Sequence, residues 1–375
     1  ARVVKAYVSE EREEARFETA NRNLMEVNLK VAKLFARLGP SLSIVMNLSV
    51  IVIIYVGGLQ IDAQELQVGK VMAAVTYTTQ VLMSIMMVSM MFVFASRAKA
   101  SADRIREVLD TYPIIKSGEI DKPFNDSSVE FDNVSFSYPT GSGREVLTDI
   151  SFKINSGEKI AILGSTGSGK STLISILPRF YDVNSGRVLV GGVNIKNYKL
   201  DRLRSEIAVV LQKSELFSGT IRENILWGKP DATDEEILEA SKVAQADEYI
   251  SRFNDGYETM VGEKGTSLSG GQRQRMCIAR AIIRKPKILI FDDATSALDL
   301  ATEAKLREAL NEQLADTTVI MIAQRIASVK NSDRILVLDE GKIVGYAPHN
   351  ELMKSCPVYI DIYNSQNKKE DGTNE

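Results

Sequence analysis

Residues 159–177 read KIAILGSTGSGKSTLISIL. The first five form an apolar run of strand length, and the last six an apolar helical run that opens with Thr172. Between them, Gly164-Ser165-Thr166-Gly167-Ser168-Gly169-Lys170-Ser171 fits G-x-x-x-x-G-K-[ST] at every fixed position. Strand, loop and helix stand in the order that a phosphate-binding loop requires. The glycines let successive backbone N–H groups turn toward phosphate oxygens, and the helix N-terminus adds its dipole. Lys170 has the reach to bridge β- and γ-phosphates, and the Ser171 hydroxyl is a suitable Mg²⁺ ligand. Residues 164–172 are therefore expected to hold a nucleotide.

A second buried strand is expected over residues 288–291 (ILIF), running into Asp292-Asp293. A carboxylate at the end of a strand beside a phosphate loop suits Mg²⁺, which makes Asp292 a metal candidate. From residue 129 onward, short β-rich runs alternate with helical patterns, the signal of an α/β unit. A P-loop nucleotide-binding domain is thus expected over residues 129–368. A linker at 113–128 would precede it, and a polar tail at 369–375 would follow.

The first 112 residues differ in kind. Residues 38–61 and 71–96 carry no charge, and each stretch is long enough as a helix to cross a hydrocarbon core of about 30 Å. Lys30, Lys33 and Arg37 precede the first stretch; Arg97, Lys99, Arg104 and Arg106 follow the second. By the positive-inside rule both basic ends are cytoplasmic, and the connector 62–70 is outside. The expectation is a helical hairpin with Gly57-Gly58 near its outer turn, preceded by a charge-rich amphipathic helix over 2–30. In the second span, methionines at 83, 86, 87, 90 and 91 share one helical face. That stripe suits lipid contact or packing, and equally a deformable lining for varied apolar ligands. Tyr77, Thr79 and Gln80 lie in the same span, where polar groups facing lipid are costly.

Composition narrows the possibilities further. The chain has 375 residues, 44% hydrophobic and 25% charged, with a net charge of −3. These values exclude a disordered, collagen-like or disulfide-scaffold chain. The small acidic balance gives no basic footprint for nucleic acid. Mean hydropathy is −0.07, an average that conceals the segregation just described. Cys277 and Cys356 have no metal or redox spacing, so a reducing compartment is expected. His349 is the single histidine, which excludes any multi-histidine metal site; at the start of a C-terminal helix it is expected to be structural. The chain starts at Ala1 inside a helical pattern and reads as a fragment of something longer, without a signal peptide.

Leu268-Ser269-Gly270-Gly271-Gln272 opens another helical run just before the Asp292 strand. With this pentapeptide the chain resembles the ATP-binding cassette (ABC) transporters, and the pentapeptide corresponds to their signature motif. Tyr138, in Phe136-Ser137-Tyr138-Pro139, resembles the aromatic that stacks on adenine. Gln212 resembles the Q-loop glutamine, a ligand of Mg²⁺ and water that also senses the membrane domain. Residues 262–265 resemble the loop that precedes the signature in exporters, and 296–299 the D-loop. The membrane hairpin resembles the last two helices of an exporter half-transporter. The likeness covers roughly residues 1–365. It implies four further membrane helices upstream, a RecA-like core with an antiparallel β subdomain and a helical subdomain, and ATP with Mg²⁺ as ligands. It also implies a multi-pass cell-membrane protein with a cytoplasmic nucleotide-binding domain.

Two positions depart from the family pattern. Where hydrolysing members carry a Glu as general base after the Mg²⁺ aspartate, this chain has Asp293. Where they carry a His against the γ-phosphate, it has Gln324, in Ile322-Ala323-Gln324-Arg325. Asp draws the carboxylate back by about 1 Å, a displacement that can cost about 10²-fold in rate. Gln can hydrogen-bond but carries no positive charge. Because cassettes in this family pair head to tail, each ATP lies between one chain's phosphate loop and the other's signature. The resemblance therefore implies a second half-transporter as partner. A homodimer would have two weak sites; a heterodimer would have one weak site and one strong site completed by Ser269, Gly270, Gly271 and Gln272 in trans. The intact signature favours the heterodimer. Membrane lipid surrounds such a chain, and the methionine stripe favours an apolar or amphipathic small-molecule cargo. A regulatory half with little hydrolysis, and a lipid or peptide exporter, share these motifs. A soluble ABC ATPase of DNA repair or translation shares the cassette, but the fused hairpin argues against it.

Overall fold

The computed structural model describes residues 2–139 and 143–371. The chain divides into two compact units, residues 1–112 and 113–375.

The first unit is a pair of long helices, Glu10–Asp62 and Val68–Leu109, preceded by a short helix, Arg2–Ala6. The charge-rich stretch expected as one helix over 2–30 is therefore interrupted. Val8 has φ 49°, a conformation that β-branched residues rarely adopt and that helices do not continue through. The second helix then starts with Glu10, Glu11 and Glu13 in its first turn, where carboxylates favour the helix dipole. It runs through Pro40 to Asp62 without a break. The reversal occupies residues 63–67. Gly57 is buried there against Val71, and a Cβ on Gly57 would come within 2.7 Å of a Val71 methyl. Small size at that position permits the close helix approach.

Most apolar side chains of these helices face outward, among them Ile51, Val52, Met72, Met83, Met87, Met91 and Phe92. Met86 and Met90, the other members of the methionine stripe, lie outside the described side chains. Among the described residues, one helix, Glu10–Asp62, is long and apolar enough to cross a membrane. The stretch 71–96 of its neighbour includes four residues, 86, 89, 90 and 93, whose side chains are not described. The hydroxyls of Thr76, Thr78, Thr79 and Ser84 donate to carbonyls four residues earlier at 2.8–3.0 Å. Thr79 is thus satisfied within its own helix, which removes much of its cost in an apolar environment.

The second unit is α/β. The larger sheet is built from β3 (Lys159–Leu163), β6 (Ile207–Val210), β9 (Ile288–Asp292), β10 (Thr318–Ile322), β11 (Arg334–Asp339) and β12 (Lys342–Ala347), in the order β12-β11-β3-β10-β9-β6. The five strands from β11 to β6 are parallel; β12 is antiparallel on the edge. β9 and β10 are buried along their whole length, and their continuous apolar runs (ILIF, VIMI) are what a parallel strand covered on both faces requires. A second sheet, β2-β1-β4-β5, joins β1 (Val129–Phe136), β2 (Leu147–Ile154), β4 (Ser185–Val190) and β5 (Val193–Asn194) in antiparallel pairs. A two-stranded ribbon pairs β7 (Gly219–Thr220) with β8 (Met260–Val261).

Helices Ile221–Leu226, Asp234–Val243, Asp247–Ile250 and Gly270–Ile282 form a helical subdomain. Thr220 with Glu223, and Thr233 with Glu236, close two of them with capping boxes. The expected linker is only partly a connection. The Gly118 and Ile120 amides donate to the Tyr198 and Asn197 carbonyls at 3.0 and 2.9 Å, and buried Phe124 packs edge-on against Tyr198. From residue 118 the segment is a strap on the nucleotide-binding unit. At the other end, the helix Pro357–Asp371 reaches into the expected polar tail, whose residues 372–375 lie outside the described residues.

Candidate functional site: the phosphate-loop cleft

β3 delivers the chain into Gly164 at the edge of an open cleft of about 560 Å³. Gly164 has φ 154°, and a Cβ there would stand 2.1 Å from the Leu338 carbonyl of neighbouring β11. The loop can therefore lie on the sheet only with glycine at this position. Gly169, at φ 101°, turns the loop into the helix Lys170–Ile176. Ser165, Thr166, Gly167, Gly169, Lys170, Ser171 and Thr172 all line the cleft. The Ser168 hydroxyl is buried without a hydrogen-bond partner.

Lys170 folds back over this loop. Its Nζ donates to the Gly164 and Ser165 carbonyls at 2.9 and 2.7 Å. Burial pulls its ammonium below the ordinary lysine value, and the nearby Asp293 and Asp292 carboxylates oppose that shift. Ser171 donates to Asp292 Oδ1 at 2.9 Å. Burial raises the Asp292 carboxyl, while Ser171 and Lys170 pull it back down. A hydroxyl, a carboxylate and the Gln212 amide oxygen are hard oxygen donors of the kind Mg²⁺ takes when phosphates and water complete its shell. Among the described residues no cluster of three or more His, Cys, Asp or Glu could hold a metal.

Asp293 is the most unusual residue of the cleft. It follows β9 with φ 50°, and its side chain is buried. Two side-chain amides converge on one carboxylate oxygen. Gln324 Nε2 donates to Oδ2 at 2.7 Å, and Gln212 Nε2 donates to the same atom at 3.3 Å. Burial raises the Asp293 carboxyl, as does the Asp292 charge; the two glutamines and Lys170 act against that. The two departures from the family pattern thus touch each other.

Tyr138 lies on the other side of the phosphate loop. It lines a second recess of about 460 Å³ with Arg144, Ser165 and Gly341. Its hydroxyl pairs with Thr172 Oγ1 at 2.9 Å, and its ring stands edge-on to Phe136 and Tyr181. The signature lies elsewhere. Ser269 caps the helix Gly270–Ile282, and its backbone N–H donates to Gln272 Oε1 at 2.9 Å. None of the residues 268–272 lines the cleft. The Gln274 side chain accepts from the Ala297 N–H at 3.1 Å, which ties this helix to the 296–299 loop of the same chain. His349 is not among the residues that line the cleft and pairs through Nδ1 with the Tyr359 hydroxyl at 2.7 Å, a structural contact. Val146, Ile362 and Gln366 also line the cleft, and no motif marks them in the sequence.

Two family profiles match the chain, one described as ABC transporter over residues 147–296 and one as ABC transporter transmembrane region over residues 1–86. The chain belongs to the ABC transporters. It is 41% identical over 365 residues to the uncharacterized ABC transporter ATP-binding protein YfiB of Bacillus subtilis, covering 97% of this chain and 63% of that protein. It is 39% identical over 364 residues to the multidrug efflux ATP-binding/permease protein Rv0194 of Mycobacterium tuberculosis, covering 96% of this chain and 30% of that one. A bacterial Atm1-family ABC exporter solved with ATP bound has TM-score 0.88 and 33% identity, over 97% of this chain and 64% of that chain. The chain thus spans 63% of the length of YfiB. Its membrane region is fused to an ATP-binding domain, and the protein is membrane-embedded with that domain in the cytoplasm.

Proposed function

We propose that this chain is half of an ABC exporter, that it binds ATP with Mg²⁺ at a hydrolytically weak site of its own, and that it supplies its signature to a partner's strong site. The observation carrying the reading is the pairing of Asp293 with Gln324. Hydrolysis needs a carboxylate free to take a proton from the attacking water and a donor aimed at the terminal phosphate. Here the carboxylate is one methylene short, and Gln324 gives one of its two amide hydrogens to that same carboxylate, which leaves a single uncharged donor to face the terminal phosphate where the family pattern has a histidine. The binding elements, Ser171 with Asp292 and the phosphate loop, have no such defect. When bound, Mg²⁺ would neutralise phosphate charge at Ser171 and Asp292, with Gln212 as a further ligand.

The signature lies outside this chain's own cleft, yet it keeps a capped helix with open N–H groups at Gly270 and Gly271. That is what a site completed in trans requires, and it favours a partner with a Glu and a His at the two altered positions. ATP binding would close the cassette pair, and hydrolysis at the partner's site would reset it. For cargo, Tyr77, Gln80 and Ser84 lie with Val81, Ile85 and Val88 along one groove of the second long helix. This mix of a few polar groups with apolar ones suits amphipathic small molecules. The name of Rv0194 points the same way.

The test compares ATP turnover of the chain purified alone with turnover after co-expression with a second half-transporter that carries Glu and His. High turnover only in the pair supports the reading. Equal turnover by the chain alone would refute it.

A further inference from the structure

The altered position 324 lies in a short irregular segment between β10 and the turn Ile326–Ser328. Nothing in the parallel sheet fixes that segment, because the ladder of β10 ends at Ile322. A single side chain from the C-terminal helix Pro357–Asp371 does. Gln366 Nε2 donates to the Gln324 carbonyl at 2.7 Å, and Gln366 Oε1 accepts from the Ile326 N–H at 2.8 Å. A carboxamide offers one donor face and one acceptor face, so it pairs with this backbone as another peptide group would. One turn earlier on the same helix, Ile362 packs on the core and lines the cleft beside Gln366. The base of the helix is fixed by fully buried Tyr359, which pairs with His349. Gln366 therefore stands on an anchored support and holds both sides of Arg325. The Gln324 amide leaves that segment toward Asp293 at 2.7 Å.

We infer that Gln366 is a positioning residue, which sets the Gln324 side chain against the terminal phosphate and so gives this site its preference for ATP over ADP. The inference rests on the reading that Gln324 faces that phosphate. It makes the C-terminal helix part of the nucleotide sensor rather than a passive end of the fold.

The experiment uses the whole membrane-embedded chain together with its partner. Photolabelling with 8-azido-ATP is read on this chain alone, and competition by unlabelled ATP and by ADP gives the ratio of the two affinities. Gln366→Met fills the same space without either hydrogen bond. It should lower the ATP-to-ADP affinity ratio about fivefold, the worth of one hydrogen bond, and leave ADP affinity unchanged. Gln366→Ala should do the same, and the double variant Gln324→Ala/Gln366→Ala should fall no further than Gln324→Ala alone. If Gln324→Ala lowers the ratio and the Gln366 variants do not, the positioning role is overturned and the reading of Gln324 stands. If Gln324→Ala leaves the ratio unmoved, both are overturned. A parallel loss of ATP and ADP affinity in Gln366→Met would show a general structural role and would overturn the inference as well.

Discussion

Replacing Asp293 by Asn should hardly change the turnover of the paired transporter, whereas replacing Ser269 by Arg should nearly abolish it. Asn is isosteric with Asp, and its one carbonyl oxygen can accept from both Gln324 and Gln212 in the place of Oδ2. The local geometry should therefore survive and only the carboxylate base be lost. If a carboxylate withdrawn by one methylene slows its own site about 10²-fold, that site supplies about 1% of the total, and losing it removes no more than that. Ser269 caps the helix Gly270–Ile282 at the mouth of the signature, outside this chain's own cleft. An arginine there would block the approach of a phosphate from the partner's loop. A well-placed donor to developing charge is worth about 3–4 kcal/mol, so turnover should drop by about 10²–10³. Ser269→Gly controls for folding, because glycine at a cap costs only a few tenths of a kcal/mol. It should keep thermal stability while losing the hydroxyl contact. Phosphate release by purified pairs in lipid nanodiscs is the assay. Equal losses from Asp293→Asn and Ser269→Arg would mean two catalytically equivalent sites and would refute the reasoning.

Lys170→Ala should remove the main phosphate contact and Tyr138→Ala the aromatic support of adenine, so labelling of this chain by 8-azido-ATP should weaken in both; unchanged labelling of Lys170→Ala would sink the phosphate-loop assignment. In a background lacking Cys277 and Cys356, a membrane-impermeant maleimide added from outside should label Gln64→Cys, in the exposed reversal between the two long helices, and should not label Ser101→Cys. The opposite pattern would invert the hairpin.

The phosphate loop was legible because its chemistry needs fixed residue types at fixed spacing. Gly164 has no substitute where a Cβ would meet the Leu338 carbonyl at 2.1 Å, and Lys170 and Ser171 must follow it at a fixed spacing, where the loop enters the helix. β9 was legible because four apolar residues ending in two acids, next to a phosphate-loop motif, suit a buried strand that surfaces at a polar site. The break at Val8 was not legible, since a run of charged residues suits a helix on either side of it. Nor was the packing of residues 118–124 on Tyr198, whose hydrogen bonds are made by backbone and leave no mark on side-chain pattern.

The altered pair at 293 and 324 falls between these cases. Each substitution stands out in sequence as a missing charge or a missing methylene, and each alone could be neutral. Their contact at 2.7 Å makes them one change: the glutamine that replaces a phosphate-facing cation is the group that holds the shortened carboxylate. A glutamate there would be one methylene longer, and a histidine at 324 would meet it with a different geometry. Reverting one position alone therefore leaves a mismatched pair. Recovery of hydrolysis at this site calls for Asp293→Glu and Gln324→His together, with a Gln366 that still fixes the backbone between them.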